Sequence, residues 1–333
     1  MKYFLSVIIF VCFTFSILAQ SVQVHEQYLI DRFLLNPALT GLGEGTKINL
    51  THKQQWVGFD NAPHTSFLSF NSRPETSSIG LGGYIYNDKN GPNQIIGAQF
   101  TFAYHLILAA KRFDQTILSM ALSFNGDYHV LDESKFNKDI YDPIITYTKQ
   151  STFVPDFNAG LVLSHTSFMF GASADNLAQS PNNIYNRKIE GNQKIFYNFH
   201  TSYIFDLDVF ELKPLVNVRT NLNGHNQMEL VAKFNYQYGK KIKSNAVRLP
   251  NEFFVGFAYK HTLDRTHITP LSLQPFFGMK IASFTFAYHF EMGLTAIQLY
   301  NFGTHQISVG LNFVNDKTLN FGRSNVPINN SDF

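Results

Sequence analysis

The chain has 333 residues and a formal net charge of +2, and 15% of its residues are charged, against roughly 25% in ordinary soluble domains. Aromatic side chains make up another 15%, including 34 Phe and 16 Tyr. So weak a charge balance excludes electrostatic recruitment of nucleic acid. The single cysteine, Cys12, lies in the N-terminal apolar run, so we expect no disulfide, thiol chemistry or Cys-ligated metal in the rest of the chain.

The first 19 residues have the composition of an export signal. Lys2 supplies the basic start, an apolar core runs from Phe4 to Leu18, and Ala19 is a small residue suited to cleavage. A transmembrane helix needs about 20 apolar residues, which is more than this run offers. We therefore expect residues 1–19 to be removed and the remainder to be exported.

Beyond the signal, the main pattern is alternation of apolar and polar residues. Over residues 94–106, Phe100 and Phe102 share one parity, while Gln99 and Thr101 share the other. The same alternation returns in further stretches, including 228–238, 284–292 and 304–313. Because successive residues of a strand point to opposite faces, the chain is predicted to be all-β.

Soluble β-sandwiches also alternate, but the composition of the two faces favours a membrane barrel. The polar face carries few Lys and Glu, and the apolar face is rich in Phe and Tyr over segments of about 10 residues, as in a lipid-facing wall with aromatic girdles. Besides helices, closed barrels are the structures that satisfy their whole backbone in lipid. We predict a transmembrane antiparallel β-barrel over residues 45–313, in an outer membrane.

The pattern predicts about 14 strands, an even number, as bacterial barrels have. They fall near 45–55, 63–73, 78–87, 94–107, 115–130, 154–165, 167–176, 194–206, 210–221, 227–238, 252–261, 267–281, 283–292 and 304–313. An even count puts both chain ends in the periplasm, with short links there and longer links outside. Most periplasmic links are short, with Gly239–Asn251 the exception, while Leu131–Phe153 and Leu177–Gln193 are long outer links. Residues 20–44 would plug or line the periplasmic mouth, and residues 314–333 would form a periplasmic tail.

The sequence around the first strand is the most specific in the chain. It comprises Asn36-Pro37-Ala38, Gly41, Gln55-Trp56-Val57-Gly58-Phe59, Ala62-Pro63-x-Thr65, Gly80-Leu81-Gly82-Gly83-Tyr84, Tyr86-Asn87-Asp88-Lys89 and Gly91-Pro92. These blocks resemble the PorP/SprF family of the type IX secretion system of Bacteroidetes, and the resemblance extends over residues 27–313. The closing stretch Gly303-Thr304-His305-Gln306-Ile307 stands where the family usually carries Gly-Ser-His-Glu-Ile, so Gln306 is a departure.

The resemblance implies an outer-membrane barrel that is not an enzyme and has no cofactor. It implies a role in secretion, surface display of cargo such as adhesins, or gliding motility. The implied partners are outer-membrane lipid, the secreted cargo protein and other type IX secretion components. A periplasmic or peptidoglycan-associated partner is a further candidate, because Lys240, Lys241 and Lys243 are predicted at a periplasmic turn, where basic clusters are usually solvated and less often bind a partner or acidic lipid.

Two alternatives stay open on the sequence. One is a transport barrel for small or hydrophobic solutes, with residues 20–44 as a hatch. The other is an outer-membrane hydrolase that uses His200 and Ser202. Both side chains are predicted to face the lumen, but residues two apart on one strand lie too far apart for a nucleophile and its base.

Other polar clusters give weak signals. Asp132, Glu133 and the stretch Asp139–Asp142 could bind calcium in an outer loop, but their spacing is not that of an EF-hand. Gly80-x-Gly82-Gly83 is not a phosphate loop, because it lies inside a strand with no helix after it. Glycines in a strand often mark the close approach of another segment.

The residues that we single out are structural or partner-binding candidates: Asn36, Pro37, Trp56, Gly58, Phe59 and Pro63. The stretch Trp56–Phe59 is predicted at the outer end of the first strand, where Trp is a common interfacial anchor. Alternatively, Trp56–Pro63 forms a fixed corner that folds over the pore or contacts a partner through its aromatic side chains. Pro63 suits a corner because it restricts Ala62 and lacks a backbone donor.

Overall fold

The computed structural model describes residues 28–43, 45–74, 77–110, 115–134, 136, 145–184, 193–207, 209–222, 224–238, 251–263 and 269–313. The predicted signal, the tail and the Lys240–Lys243 cluster lie outside these ranges. The strands are β1 (Thr46–Gln54), β2 (His64–Ser72), β3 (Ile79–Asn90), β4 (Asn93–Ala110), β5 (Gln115–Asp132), β6 (Lys149–His165), β7 (Phe168–Asp175), β8 (Phe196–Tyr203), β9 (Phe205–Leu207), β10 (Phe210–Thr220), β11 (Asn226–Tyr238), β12 (Asn251–Thr262), β13 (Pro270–Ile281), β14 (Phe284–Gly293) and β15 (Thr304–Phe313).

The strands form one closed antiparallel sheet. β8 and β9 are two parts of a single wall strand, because both pair with β10. The ring closes where β1 pairs with β15, from Thr46 opposite Phe313 to Gln54 opposite His305. The described residues therefore form a 14-strand barrel, which confirms the predicted fold class.

Strand limits agree with the sequence prediction to within a few residues, with two notable differences. β3 continues to Asn90, because Gly91, with φ +57°, turns the chain tightly into β4. The outer link expected over Asp88–Asn93 is therefore a two-residue turn. β6 begins at Lys149 rather than near residue 154, because it stays paired with β5 as far as Asp132.

The predicted alternation fixes which side chains face outward. Leu122 and Phe100 are 67% and 58% exposed on the outer face, whereas Thr101 and Ser119 are fully buried on the inner face. The outer face is apolar and aromatic, and the inner face is mainly polar. This is the reverse of a soluble protein and the arrangement of a barrel whose wall contacts lipid.

The links divide into a turn end and a loop end. The turn end holds the two-residue turns 166–167 and 282–283, together with the start of β1 and the end of β15. The loop end holds the links 55–63, 133–148, 176–195 and 294–303, together with the tight turn at Gly91.

Helical structure among the described residues consists of short 3₁₀ turns, at Tyr28 and Leu29, Arg32–Leu34, Pro37–Leu39 and Ala296–Tyr300. No helix in that part of the chain is long and apolar enough to cross a membrane.

The chain before β1 lies inside the barrel and supplies 8 of the 21 buried residues of its apolar core in the described part of the chain. We call residues 28–43 the lumenal segment. Leu29, Phe33 and Leu42 are each about 1% exposed, and Ala38 is fully buried. They pack with inward-facing wall side chains such as Phe67, Met169 and Phe276. The polar inner wall is therefore lined on its lumen side by an apolar segment of the same chain.

Leu122 lies near the middle of β5 on the outer face, where a charge would meet hydrocarbon. We expect Leu122→Lys to lower the free energy of unfolding by about 2–4 kcal/mol, the cost of Lys near a bilayer midplane. Urea unfolding in phospholipid vesicles measures this. Leu222→Lys is the matched control, since Leu222 is 73% exposed but lies in a loop-end link. Equal costs at the two positions would contradict a lipid-facing wall.

Candidate functional site

The lumenal segment is shaped locally by Asn36-Pro37-Ala38. Asn36 is extended, and its Oδ1 accepts a 2.9 Å hydrogen bond from the backbone N–H of Ala38, which caps the 3₁₀ turn Pro37–Leu39. Pro37 occupies the first position of that turn, where a backbone N–H would have no partner within it. The motif therefore makes a compact turn that carries its own cap into the barrel.

The same Asn36 side chain ties this turn to the wall. Its Nδ2 lies 3.2 Å from the carbonyl oxygen of Leu161, 3.0 Å from that of Ala172 and 3.1 Å from Nε2 of His200. Asn36 is fully buried, and His200 is 1% exposed. One amide thus contacts β6, β7 and β8 in a place closed to water, where leaving such a group unpaired is costly.

Wall glycines make room for this contact. A Cβ on Gly160 would collide with Oδ1 of Asn36, and a Cβ on Gly80 would collide with the carbonyl oxygen of Thr40. Gly41 is in the left-handed region at φ +71°, and a Cβ there would lie 2.6 Å from the Cα of Gly80. At Gly80 and Gly41 backbone meets backbone, and at Gly160 the wall backbone meets the Asn36 amide, so only glycine fits at these points.

A second anchor holds the end of the segment that leads to β1. His105 Nε2 lies 2.9 Å from the carbonyl oxygen of Thr40, and its Nδ1 lies 2.8 Å from Ser119 Oγ. The backbone N–H of Gly41 donates to Asn71 Oδ1 at 2.6 Å. The ring of His105 is 2% exposed, so this anchor is also shielded from water.

A third anchor uses the two charged residues of the segment. Asp31 Oδ2 accepts hydrogen bonds from Asn49 Nδ2 at 2.8 Å and from Ser69 Oγ at 2.5 Å. A guanidinium nitrogen of Arg32 donates to Ser202 Oγ at 3.2 Å. Adjacent charges in the apolar run YLIDRFLLNPAL are the sequence signal for this anchor, which the predicted site residues do not include.

The inner wall carries further charge in pairs. Arg219 lies 3.3 Å from Asp175, Lys213 lies 2.9 Å from Glu211, and Lys280 lies 2.7 Å from Glu252. Pairing is what allows charged groups to stay in a poorly hydrated interior. The wall around the segment is therefore polar, and these charged side chains are paired with opposite charges.

Two recesses adjoin the lumenal segment. The turn-end recess has a cavity volume of about 50 Å³ and lies between Leu29–Phe33, Leu39–Gly43 and the inner faces of β11–β15, β1 and β2. The loop-end recess has a cavity volume of about 30 Å³ and lies between Tyr28, Leu34 and Leu35 and the inner faces of β8 and β10–β12. The segment therefore does not fill the lumen completely.

The structure gives His200 and Ser202 a different setting from that of a hydrolase. Both lie on the inner face, with 1% and 6% exposure. Nε2 of His200 contacts Asn36, and Oγ of Ser202 accepts from Arg32, so each is occupied by the lumenal segment. These contacts give both residues a structural use.

The calcium candidates are only partly described. Asp132 Oδ1 accepts from the backbone and hydroxyl of Ser134, and Glu133 Oε2 accepts from those of Thr146. Asp139–Asp142 lie outside the described residues. Within the described part of the chain, no group of His, Cys, Asp or Glu side chains is arranged to hold a metal ion.

The corner Trp56–Pro63 lies at the loop end and is joined to the link before β15. The N–H of Val57 donates to Gly303, the N–H of Phe302 donates to Val57, and Gln55 donates to Pro63, at 2.8–3.0 Å. Gly58 has φ +108°, and a Cβ there would lie 3.0 Å from the ring of Phe302. The corner is therefore fixed across the seam where the barrel closes.

The corner and this link present a cluster of exposed apolar side chains. Trp56 and Phe59 are 39% and 41% exposed, and Leu299, Tyr300 and Phe302 are 83%, 73% and 74% exposed. We call these five residues the loop-end aromatic surface. Pro63 is buried beneath it.

A closed antiparallel wall with an apolar outside and a polar inside defines an outer-membrane type of β-barrel. The sequence matches the model of the family described as "Type IX secretion system membrane protein PorP/SprF" over residues 17–311. The chain belongs to that family. None of the curated proteins compared with it matches.

Several solved barrels are similar in structure. The CymD monoaromatic hydrocarbon channel has 13% identity and a TM-score of 0.47, covering 90% of this chain and 96% of that chain. A bacterial polysaccharide outer membrane secretin has 8% identity and a TM-score of 0.41, covering 81% and 99%. A mutant of Rh. blastica porin has 9% identity and a TM-score of 0.35, with the same coverage.

Removing the Asn36 amide should release the lumenal segment. We expect Asn36→Ala to lower the free energy that holds the lumenal segment against the wall by about 1–3 kcal/mol, because buried partners lose their hydrogen bonds. The readout is maleimide labelling of Leu42→Cys in a Cys12→Ser chain, since Leu42 is 1% exposed. Labelling should quicken roughly five- to hundredfold. Asn125→Ala is the control, an inner-wall amide whose Oδ1 accepts no hydrogen bond from the described residues.

Gly160→Ala tests whether the contact itself matters. Gly160→Ala alone should also quicken maleimide labelling of Leu42→Cys, because the added Cβ would collide with Asn36 Oδ1. In the Asn36→Ala background the added effect should shrink, because the colliding atom is gone. Strictly additive effects would show that the two residues do not interact.

Proposed function

We propose that this protein is a non-enzymatic outer-membrane component of the type IX secretion system that helps the secretion or surface display of cargo proteins such as adhesins. The family match over residues 17–311 is the observation that carries the proposal. Residues 1–19 serve as a cleaved export signal. The turn end faces the periplasm and the loop end faces outward, as short turns and long loops do in such barrels.

A lumen occupied by residues 28–43 supports an accessory role rather than a conduit for folded cargo. Residues 20–44 act as a plug, of which residues 28–43 pack against the wall at Asn36, Thr40 and Asp31. The cavities left beside them measure about 50 and 30 Å³, which is room for a few water molecules rather than for a protein domain. Cargo would therefore be handled at an end of the barrel.

The loop-end aromatic surface is the best candidate for that contact. Exposed Trp, Tyr and Phe side chains are typical of the energetic centres of protein interfaces. Its rigidity supports this role, because Val57, Phe302 and Gly303 are joined by backbone hydrogen bonds. A rigid surface loses little conformational entropy when a partner binds. The alternative is an interfacial anchor in the outer leaflet.

Gene deletion tests the function. We expect the deletion strain to lose a defined set of surface or secreted proteins, and the wild-type gene to restore them. A Tyr300→Ser/Phe302→Ser gene should restore them incompletely, whereas Leu222→Ser, which changes an exposed apolar residue in another loop-end link, should restore them fully. Quantitative proteomics of surface and medium is the measurement.

An unchanged surface proteome in the deletion strain would reject the secretion role. Full restoration by the double variant would reject only the aromatic surface as the contact. Membrane fractionation confirms insertion of each variant, so that failure to assemble is not mistaken for failure to bind. Pull-down from mildly solubilised membranes identifies the cargo.

A second candidate is a transport barrel for small or hydrophobic solutes. The recesses beside the lumenal segment favour it, because they lie toward opposite ends of a polar lumen. Movement of residues 28–43 would join them into one passage.

Planar-bilayer conductance separates the two candidates. We expect the wild-type protein to show no steady conductance, and a variant lacking residues 28–43 to conduct, because the segment that occupies the lumen is gone. If the deletion variant does not assemble, the double variant Asn36→Ala/Asp31→Ala replaces it in the conductance experiment. Steady conductance or solute uptake by the wild type would favour transport over cargo handling.

A further inference from the structure

The apolar belt on the outer face of the barrel is short on β1 and β2. On β1 the outward apolar side chains are Ile48 and Leu50, and on β2 they are Leu68 and Phe70. The outward side chains of β4 form a much longer run: Ile96, Ala98, Phe100, Phe102, Tyr104 and Leu106. The wall beside the closing seam therefore offers lipid tails far less apolar height than β4 does.

Polar side chains bound this short belt on both sides. Toward the loop end, His52 and Ser66 point outward, and Nδ1 of His52 lies 3.1 Å from Oγ of Ser66. Toward the turn end, Thr46 and Ser72 point outward, and their hydroxyl oxygens lie 2.6 Å apart. We call His52 and Ser66 the loop-end polar pair, and Thr46 and Ser72 the turn-end polar pair. In each pair the two residues lie directly opposite one another on β1 and β2.

The two polar pairs are too close together for a bilayer of ordinary thickness. Ser66 and Ser72 are six residues apart on β2, which corresponds to about 20 Å along a strand. A strand tilted by roughly 35–45° reduces this to about 15 Å along the bilayer normal, whereas the apolar band of such barrels is about 25 Å tall. An unperturbed bilayer would therefore place at least one pair in hydrocarbon, where polar groups are costly.

The outward polar surface is wider than one pair at the loop end. Gln54 pairs with His305 on one side and with His64 on the other, and Asn87 pairs with Ser66. These side chains carry N–H or O–H donors, which suit the phosphate and ester oxygens of lipid head groups. A bilayer can adapt to a short apolar belt by thinning beside it, at a modest cost.

We propose that the barrel thins the bilayer beside its closing seam, and that lipid head groups move inward to contact both polar pairs. Head groups of one leaflet contact His52 and Ser66, and those of the other leaflet contact Thr46 and Ser72. Because Trp56 follows β1 in the chain, a head-group layer at His52 leaves the loop-end aromatic surface clear of hydrocarbon. Thinning depends only on the wall and the lipid, so it holds whether or not the protein acts in secretion.

Single cysteines labelled with bimane, in a Cys12→Ser chain, measure the surroundings of each pair. In dioleoylphosphatidylcholine vesicles we expect aqueous iodide to quench the label at both Ser66→Cys and Ser72→Cys, and doxyl-labelled acyl chains to quench it little. Phe102→Cys is the matched control, because Phe102 lies in the same row of the sheet as Ser72, through Leu81 of β3, but within the long apolar run of β4. Its label should be quenched by the doxyl chains and not by iodide.

Two other results would overturn the proposal. If the doxyl chains quench both serine positions and iodide quenches neither, lipid tails cover the polar pairs, as expected of a face that waits for a protein partner. If iodide reaches only one of the two positions, the barrel is displaced or tilted in a bilayer of normal thickness.

Lengthening the apolar belt tests the proposal without a label. The folded fraction of the wild type, measured by protection from protease, should fall from dilauroyl- to dioleoylphosphatidylcholine vesicles, because the second bilayer is thicker. His52→Leu/Ser66→Leu should lose less, because it extends the belt at its loop end. Thr201→Leu is the control, since it adds an outward apolar side chain between Phe199 and Tyr203 without lengthening the belt of β8.

An equal loss in the wild type and the double variant would also contradict thinning at the seam, as would the same gain from Thr201→Leu. If the double variant folds in neither lipid, the labelled cysteines decide, because each of them changes one outward side chain.

Discussion

A segment that enters a barrel must give its backbone and side-chain polar groups new partners, and here one side chain, Asn36, makes four of the contacts described above. It caps its own turn through Ala38 and reaches two wall carbonyls and His200. The glycines of the wall follow from this contact, because Gly160 leaves space for the amide and Gly80 leaves space for the chain four residues later. The apolar side chains of the segment then pack against inward-facing wall residues such as Phe67 and Met169.

The hydrogen bonds of the lumenal segment described above all end on β1, β2, β4 and β6–β8. The recesses lie mainly against β10–β15. The segment is thus attached to one half of the wall and leaves space beside the other. This asymmetry divides the lumen into two parts: one side fixes the segment, and the other leaves small recesses beside it.

The barrel could be predicted from the sequence because alternation of large apolar and polar residues is a local property that any closed sheet must show. The lumenal contacts could not. Asn36 and Pro37 stood out as a motif, but their partners Leu161, Ala172 and His200 are more than a hundred residues away, and inner-wall position alone does not say which polar group meets which. Gly80 and Gly82 indicated the close approach of another segment, without saying that the segment was Thr40.

Chain order gives the lumenal segment a part in assembly. It precedes β1, and the hydrogen-bonding partners described above lie in the first half of the wall, so an open sheet of β1–β8 would already hold them. The later strands, which carry packing partners such as Phe276, can then be added around an occupied surface, with the pairing of β15 and β1 last. On this order the segment acts as a template, because the second half of the wall is packed onto a surface that the first half already holds in place.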